Sequence, residues 1–488
     1  MTISYAMLAR ALLPEAALVL GALLVLAYDL TIGRRHPGRD RLTASLLIGA
    51  AAVVAAIIDT LLIGTPGPVF GGALDLDPLA QATRVGVLGL ALLTLGVTAG
   101  ARPLRHPAEY VALLLLAVSG LTVMAAASQL LVAFVALELA SLSLYVLAGF
   151  AKDDPDSAEA ALKYFLFGGM AAAFLLFGFS LIYGLTGEIG FADIAGALAR
   201  QGLSPLLTVA LVMVLVGFGF KAAAAPFHLW APDAYQGAPT PSAALIASAS
   251  KLAGFTLFLR LLWPGLGNVA GDIAHAVPVV GWLPAVALMA AASLLLGNLA
   301  ALAQASLRRL LAYSAIAHAG ALLLGLAAVE VAGPGPLFYY AATYGLATVG
   351  AFGVVAVLER HGGGSQLSNL AGLSRRSPLL AGCLMVYVLS LAGVPPLAGF
   401  FGKFAVFAAA LKLGGLAGAA GWVTLLAILL SAVAFYYYLL ILKQALVAPP
   451  ASEAGKIPVA PATALTLLVA AGLIVAAGLF PNLILDLF

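Results

Sequence analysis

Gly217-Phe-Gly-Phe-Lys221-Ala-Ala-Ala-Ala-Pro226-Phe-His228 sets a lysine, and then a proline, inside an otherwise apolar run. Proline has no backbone N–H and disrupts the helix around it, which frees carbonyls upstream. A second stretch has the same character: Gly393-Val-Pro395-Pro396-Leu-Ala-Gly-Phe-Phe-Gly-Lys403. Helical pieces are predicted beyond both breaks, over about 224–235 and about 397–412. Paired interrupted helices in a membrane protein point to a transport site.

The rest of the chain supplies the membrane. It is 63% hydrophobic and 9% charged over 488 residues. Apolar runs of about 20 residues recur from end to end, each enough to cross a hydrocarbon core roughly 30 Å thick. The pattern predicts an all-α polytopic membrane protein with about 14 transmembrane helices. An outer-membrane barrel would show short alternating segments instead. The first run holds Glu15 and ends at Asp29 with no small-residue cleavage site after it, so it reads as a mature helix and not a signal peptide.

The two breaks fall in spans seven and twelve, five spans apart. That layout predicts two inverted five-helix repeats, spans 4–8 and 9–13, because an odd-numbered repeat must invert in the membrane. The expected divisions are 1–108 (three helices), 109–263 (first repeat), 278–444 (second repeat) and 445–488 (a last helix). Basic loop residues set orientation. Arg34, Arg35, Arg39, Arg41, Arg102, Arg105, Lys152, Arg308, Arg309, Arg360, Arg375, Arg376, Lys443 and Lys456 fall on one side, which reads as cytoplasmic. Arg10, Arg84, Arg200, Arg260 and Lys412 fall on the other, where both termini are expected.

Five charges stand inside apolar runs: Glu138, Lys163, Lys221, Lys251 and Lys403. A charge at bilayer depth costs about 2.5–3.5 kcal/mol on insertion scales, so such residues mark ion or proton paths by default. Glu138, Ser141 and Tyr145 share one helix face. Burial alone favours a neutral carboxyl, and a nearby ammonium reverses that. Lys221 is the first candidate partner for Glu138 and Lys163 the second. The bland alternative is a fixed ion pair locking two helices. Lys251 has no acidic neighbour in sequence, and a buried unpaired lysine can exchange protons near neutral pH. Snorkelling to the membrane edge is its alternative, and more so for Lys403. Two polar stripes are weaker signals: Tyr340, Tyr344 and Thr348 on span eleven, Ser314 and His318 on span ten. His318 and Tyr344 are possible relay groups. His228, just past Pro226, is another, or a structural partner for the freed carbonyls. Cys383 reads as a buried small hydrophobe and His275 as a loop residue. The sequence contains no P-loop, dinucleotide fingerprint, HExxH or CxxC.

The segment from Lys221 through Pro226, His228 and Asp233-Ala-Tyr-Gln-Gly-Ala-Pro-Thr-Pro to Ala243 strongly resembles the signature of antiporter-like membrane subunits of respiratory complex I and of Mrp-type sodium/proton antiporters. The resemblance spans essentially the whole chain. With Gly393–Lys403 it is similar to the N type. The M type has an acidic residue where Lys403 stands, and the L type has a lateral helix after its last span, which this chain, ending at Phe488, lacks. The resemblance implies a proton relay in which Glu138 and Lys221 form the pair, Lys163 modulates it, Lys251 is central and Lys403 terminal. It implies no cofactor in this chain, with FMN, Fe–S clusters and quinone in partner subunits. Implied partners are other membrane subunits of complex I, among them a second antiporter-like subunit and small membrane subunits, in a bacterial plasma membrane. The small net charge of +3 gives no reason to expect nucleic acid. Two other readings are an Mrp-type antiporter subunit and a non-conducting spacer.

Overall fold

A computed structural model describes residues 9–450 and 455–488. Three helices open the chain: α1 (Leu13–Thr31), α2 (Gly38–Ile63) and α3 (Pro78–Gly100). A short antiparallel hairpin, β1 (Gly67–Val69) with β2 (Leu74–Leu76), fills the loop before α3. Spans four to six are α4 (Pro107–Ala126), α5 (Leu130–Ala148) and α6 (Pro155–Thr186). At 1.5 Å per residue α6 is about 48 Å long, well beyond the hydrocarbon core. Prolines open many of these helices at the first turn, where a missing N–H costs nothing. Side-chain caps reinforce three starts: Asp77 accepts from Ala80 N (2.7 Å), Asp154 from Asp156 N (3.1 Å) and Ser204 from Leu207 N (3.2 Å).

Between spans six and seven lies α7 (Phe191–Gln201), a helix the hydropathy pattern did not predict. Glu188, Asp193 and Arg200 dilute its hydropathy, while Phe191, Ile194, Ala197 and Leu198 form its buried face. Span seven is broken into α8 (Pro205–Ala222) and α9 (Trp230–Gly237). Span eight, predicted as one helix, is two: α10 (Thr240–Ala247) and α11 (Ala249–Arg260). They meet at Ser248, whose hydroxyl bonds back to Ala244 O at 2.6 Å, a contact that bends helices. The second half contains α12 (Trp282–Leu302), α13 (Leu307–Ala327) and α14 (Gly335–Arg360). Span twelve is broken into α15 (Pro378–Ala392) and α16 (Ala398–Lys412), and α17 (Ala419–Leu442) and α18 (Pro461–Leu479) close the chain. Thirteen stretches of the described residues are long and apolar enough to cross a membrane, against the 14 expected, and α15 is a shorter apolar helix where the twelfth span was predicted.

The two breaks share one backbone solution. Ala223 and Gly393 are left-handed (φ +55° and +87°). Ala224 N bonds Gly219 O at 2.8 Å and Val394 N bonds Leu389 O at 3.0 Å, while Ala223 N and Gly393 N bond the carbonyls of Phe220 and Ser390. Both are Schellman terminations, and both stop the helix before its proline arrives. A glycine is also needed just past the second break: a Cβ on Gly399 would collide with Ser390 O.

Spans eight, ten and eleven are the most enclosed, and they carry Lys251, His318 and Tyr344. Two arginines read as loop charges are interior. Arg84 in α3 is 1% exposed and places Nη2 2.6 Å from both Glu15 oxygens, tying α3 to α1. Arg260 closes α11 and pairs with Asp77. Neither labels a loop, because each is neutralised inside the fold. Breaking a buried pair strands a charge at about 3–5 kcal/mol. Arg84→Met is therefore expected to lower the yield and thermal stability of the membrane protein by about that amount. Glu15→Gln combined with Arg84→Met is expected to recover most of it, measured by fluorescence-detected thermal unfolding in detergent.

Candidate proton-relay site

The face of α5 predicted to hold Glu138, Ser141 and Tyr145 together meets α6 and α8. Lys221 is 4% exposed, at the last turn of α8, and donates from Nζ to Ser141 Oγ at 3.1 Å. Lys221 makes no direct ion pair with Glu138, which lies one helical turn from Ser141. Glu138 is half-buried, and its Oε1 is buried without a hydrogen-bond donor. Tyr145 reaches α6, where Gly168 makes room: a Cβ there would collide with the tyrosine hydroxyl.

Lys163 stands elsewhere than beside Glu138. Its ammonium pairs with Asp233 Oδ2 at 2.6 Å and Glu159 Oε1 at 2.5 Å, and 37% of its side chain is exposed. The sequence reading offered it as a second partner for Glu138; in this conformation its ammonium is held by Asp233 and Glu159 instead. The apolar run around it hid two carboxylates, one a turn earlier on the same helix and one across on α9.

The path from Lys221 toward Lys251 is short. Lys221 Cγ passes 3.3 Å from where a Cβ on Gly254 would stand, so glycine there lets α11 approach. Lys251 is 2% exposed, and Nζ donates to Ala315 O at 2.5 Å. It also stands 5.6 Å from the Tyr344 ring centroid. An ammonium carries three donors, so the protein supplies one clear acceptor and an aromatic face. The snorkelling alternative has no support here, since the side chain lies among spans eight, ten and eleven. The hydroxyl of Tyr344 is buried and unpartnered.

Beyond Lys251 the two polar stripes converge. The His318 ring packs against Tyr344 at 4.8 Å, its Nδ1 lies 2.6 Å from Tyr340 OH, and its Nε2 lies 3.1 Å from Tyr438 OH. Tyr438 in turn bonds Ser314. A cavity of about 20 Å³ borders His318, Tyr340, Asn298, Tyr437 and Lys403, enough for roughly one water. Lys403 closes the line. Its Nζ donates to Leu391 O (2.9 Å) and Ala392 O (3.0 Å), the carbonyls that the α15 break leaves without N–H partners. In the first break Trp230 Nε1 covers Phe220 O (3.2 Å) and Ser293 Oγ accepts from Ala225 N (2.8 Å). His228 covers none of the freed carbonyls there; its Nδ1 is buried without a partner. Pro226, Pro395 and Pro396 lie in the two connections, as expected of helix breaks.

Several residues of this system were not singled out in the sequence. Arg308, read as a loop charge, is buried: it donates to Tyr235 O (2.9 Å) and Ala238 O and pairs with Glu359 (3.2 Å), which also accepts from Thr240 (2.5 Å). Arg309 pairs with Asp233 at 2.7 Å. A cavity of about 650 Å³ opens beside this group, bordered by Arg102, Asp153, Asp154, Thr240, Arg308 and Glu359. The available signal was the adjacent Arg308-Arg309 pair at the start of an apolar span, where loop charge and helix charge look alike.

A membrane bundle with two Schellman-broken spans and a buried line of lysines defines an antiporter-like transport subunit. The transmembrane family described as NADH:quinone oxidoreductase/Mrp antiporter matches residues 127–431. NADH-quinone oxidoreductase subunit N 2 of Acidobacterium capsulatum is 48% identical, covering 99% of each chain. A chain of respiratory complex I from Thermus thermophilus, solved with bound aureothin, superposes with a TM-score of 0.78 at 35% identity, covering 97% of this chain and 98% of that one. A chain of an archaeal membrane-bound sulfane sulfur reductase superposes with a TM-score of 0.83 at 25% identity, covering 98% of this chain and 96% of that one. The chain belongs to the NADH-quinone oxidoreductase subunit N family.

Tyr438→Phe removes the hydroxyl that joins Ser314 to His318. A hydrogen bond contributes about 0.5–1.5 kcal/mol, so proton transfer through this segment is expected to slow roughly two- to tenfold. The check is the initial rate of vesicle acidification at equal amounts of assembled complex.

Proposed function

We propose that this chain is the proton-translocating membrane-arm subunit of an NADH:quinone oxidoreductase. Electron transfer in partner subunits, which hold FMN, Fe–S clusters and quinone, drives a relay through Glu138, Lys221, Lys251 and Lys403, with Lys163 as modulator. The observation that carries this reading is the position of Lys221. It sits at the last turn before the α8 break, hydrogen-bonded to Ser141 one turn from Glu138, whose Oε1 has no donor. A counter-charge displaced by a few ångströms is enough to act there. About 1.4 kcal/mol shifts a protonation equilibrium tenfold. When Glu138 is drawn away, Lys221 gives up its proton toward Lys251, and it passes by the His318 cluster to Lys403. No redox chemistry is assigned to this chain.

The chain sits in a bacterial plasma membrane with both termini on the non-cytoplasmic side, beside a second antiporter-like subunit and small membrane subunits. The basic loops support that orientation. The large cavity beside Arg308 and Glu359 lies among these loops, at Arg102, Arg105 and Lys152, and offers water a mouth on the cytoplasmic side. The matched breaks support an inverted repeat and the divisions at 1–108, 109–263, 278–444 and 445–488.

Lys221→Ala is expected to abolish NADH-driven acidification of membrane vesicles in a strain lacking the native gene, at equal complex assembly. Full pumping by the variant would overturn the relay. A gradient produced by sodium and not by NADH, with wild type in place, would favour an antiporter subunit instead.

A further inference from the structure

Asp233 has no role in the relay described so far, yet it ties three helices together. One carboxylate oxygen takes Lys163 of α6 at 2.6 Å and the other takes Arg309 of α13 at 2.7 Å. Trp230, three residues earlier, shares its face of α9. Trp230 stacks on Tyr164, the neighbour of Lys163, at 4.3 Å and 11°, and donates to Phe220 O, next to Lys221. Tyr164 meets Tyr145 edge-on at 4.7 Å, on the face of α5 that carries Glu138. The Lys163–Asp233 contact is thus two residues deep from both members of the Glu138–Lys221 site.

Three features make this contact exchangeable. Lys163 keeps Glu159, four residues back on its own helix, if it leaves Asp233. Asp233 keeps Arg309 if it loses Lys163. Neither charge is stranded by the separation, and partly exposed ion pairs are weak to begin with. Meanwhile Glu138 has a vacant buried acceptor on the helix packed beside α6. A long lysine stem has two places to be.

Resting on the proton-relay reading above, we propose that Asp233 is a positioning residue of the relay. It is a fixed carboxylate, braced by Arg309, that competes with Glu138 for Lys163 and so sets when Lys163 is free to draw Glu138 from Lys221. In the conformation described here the competition stands on the Asp233 side. The link through Arg309 gives the second half of the chain a hold on the charge pair of the first.

The test is a double-mutant cycle in the assembled complex, read as protons moved per electron. Asp233→Asn releases Lys163 permanently and is expected to lower the ratio roughly three- to tenfold, in the lower part of the range for residues of one ion-pair network. Asp233→Glu is expected to retain most of it. In a Lys163→Met background Asp233→Asn is expected to have no further effect, because there is no lysine left to restrain. An equal loss in both backgrounds makes Asp233 a helix staple and overturns the proposal, as does a wild-type ratio in Asp233→Asn. If Asp233→Asn does not assemble, Glu159→Gln takes its place. Glu159 is exposed, and the proposal expects a smaller loss that again vanishes with Lys163→Met; no loss overturns it. Normal pumping by Lys221→Ala would instead remove the relay itself, so the two failures are distinct.

Discussion

The bilayer interior has no water to satisfy a broken helix, and the rest of the architecture answers to that constraint. Two spans are interrupted in the same way, and each interruption exposes carbonyls that must find donors inside the protein. In span twelve the donor is Lys403, which reaches back across the connection to Leu391 and Ala392. Lys403, the last member of the proposed relay, is thus also the cap of that helix end. A proton leaving that ammonium takes a donor from a buried carbonyl, so the break and the charge state of Lys403 depend on each other. Span seven divides the labour. Trp230 and Ser293 serve the opened backbone, and Lys221 is left to the hydroxyl of Ser141. The polar contacts of the first break are therefore made without the Lys221 ammonium.

A second arrangement follows from where the arginines of α13 point. Arg308 holds the last carbonyls of α9 and pairs with Glu359 of α14; Arg309 holds Asp233. Two consecutive residues at the start of one helix grip the short half of the broken span seven from the opposite half of the chain. Arg308 is buried and hydrogen-bonded on several sides, so it fixes position. Arg309 is a third exposed and shares its partner with Lys163, so it leaves room for exchange.

How far the sequence carried can be read residue by residue. Apolar run length alone located the spans, since hydropathy over about 20 residues is insensitive to contacts. The face shared by Glu138, Ser141 and Tyr145 follows from helical period, and so does the convergence of Ser314 with His318. The breaks were visible because proline and glycine have local backbone consequences. Three things were not visible. The kink at Ser248 arises from a side-chain bond to a carbonyl that serine makes in straight helices as well. The partners of Lys163 depend on which way a partly exposed lysine turns, and pattern does not encode that. Arg84, Arg260 and Arg308 counted as loop charges because linear distance from an apolar run does not tell a solvated arginine from one that folds inward onto a carboxylate.

Lysines and not carboxylates line the middle of this path, and the packing gives a reason. The groups around Lys251 and Lys403 are acceptors or ring faces: Ala315 O, the Tyr344 ring, Leu391 O and Ala392 O. At Lys403 these are carbonyls that the α15 break leaves free, and they suit a cation. At Lys251 the acceptor is a carbonyl within the unbroken α13, with the ring face of Tyr344 beside it. The single carboxylate of the line, Glu138, is placed accordingly. It lies on an unbroken helix, half-buried, one turn from the hydroxyl that holds Lys221. In span twelve the broken helix favours a cation, and the one opposite charge stands next to the first break, where its displacement would be felt.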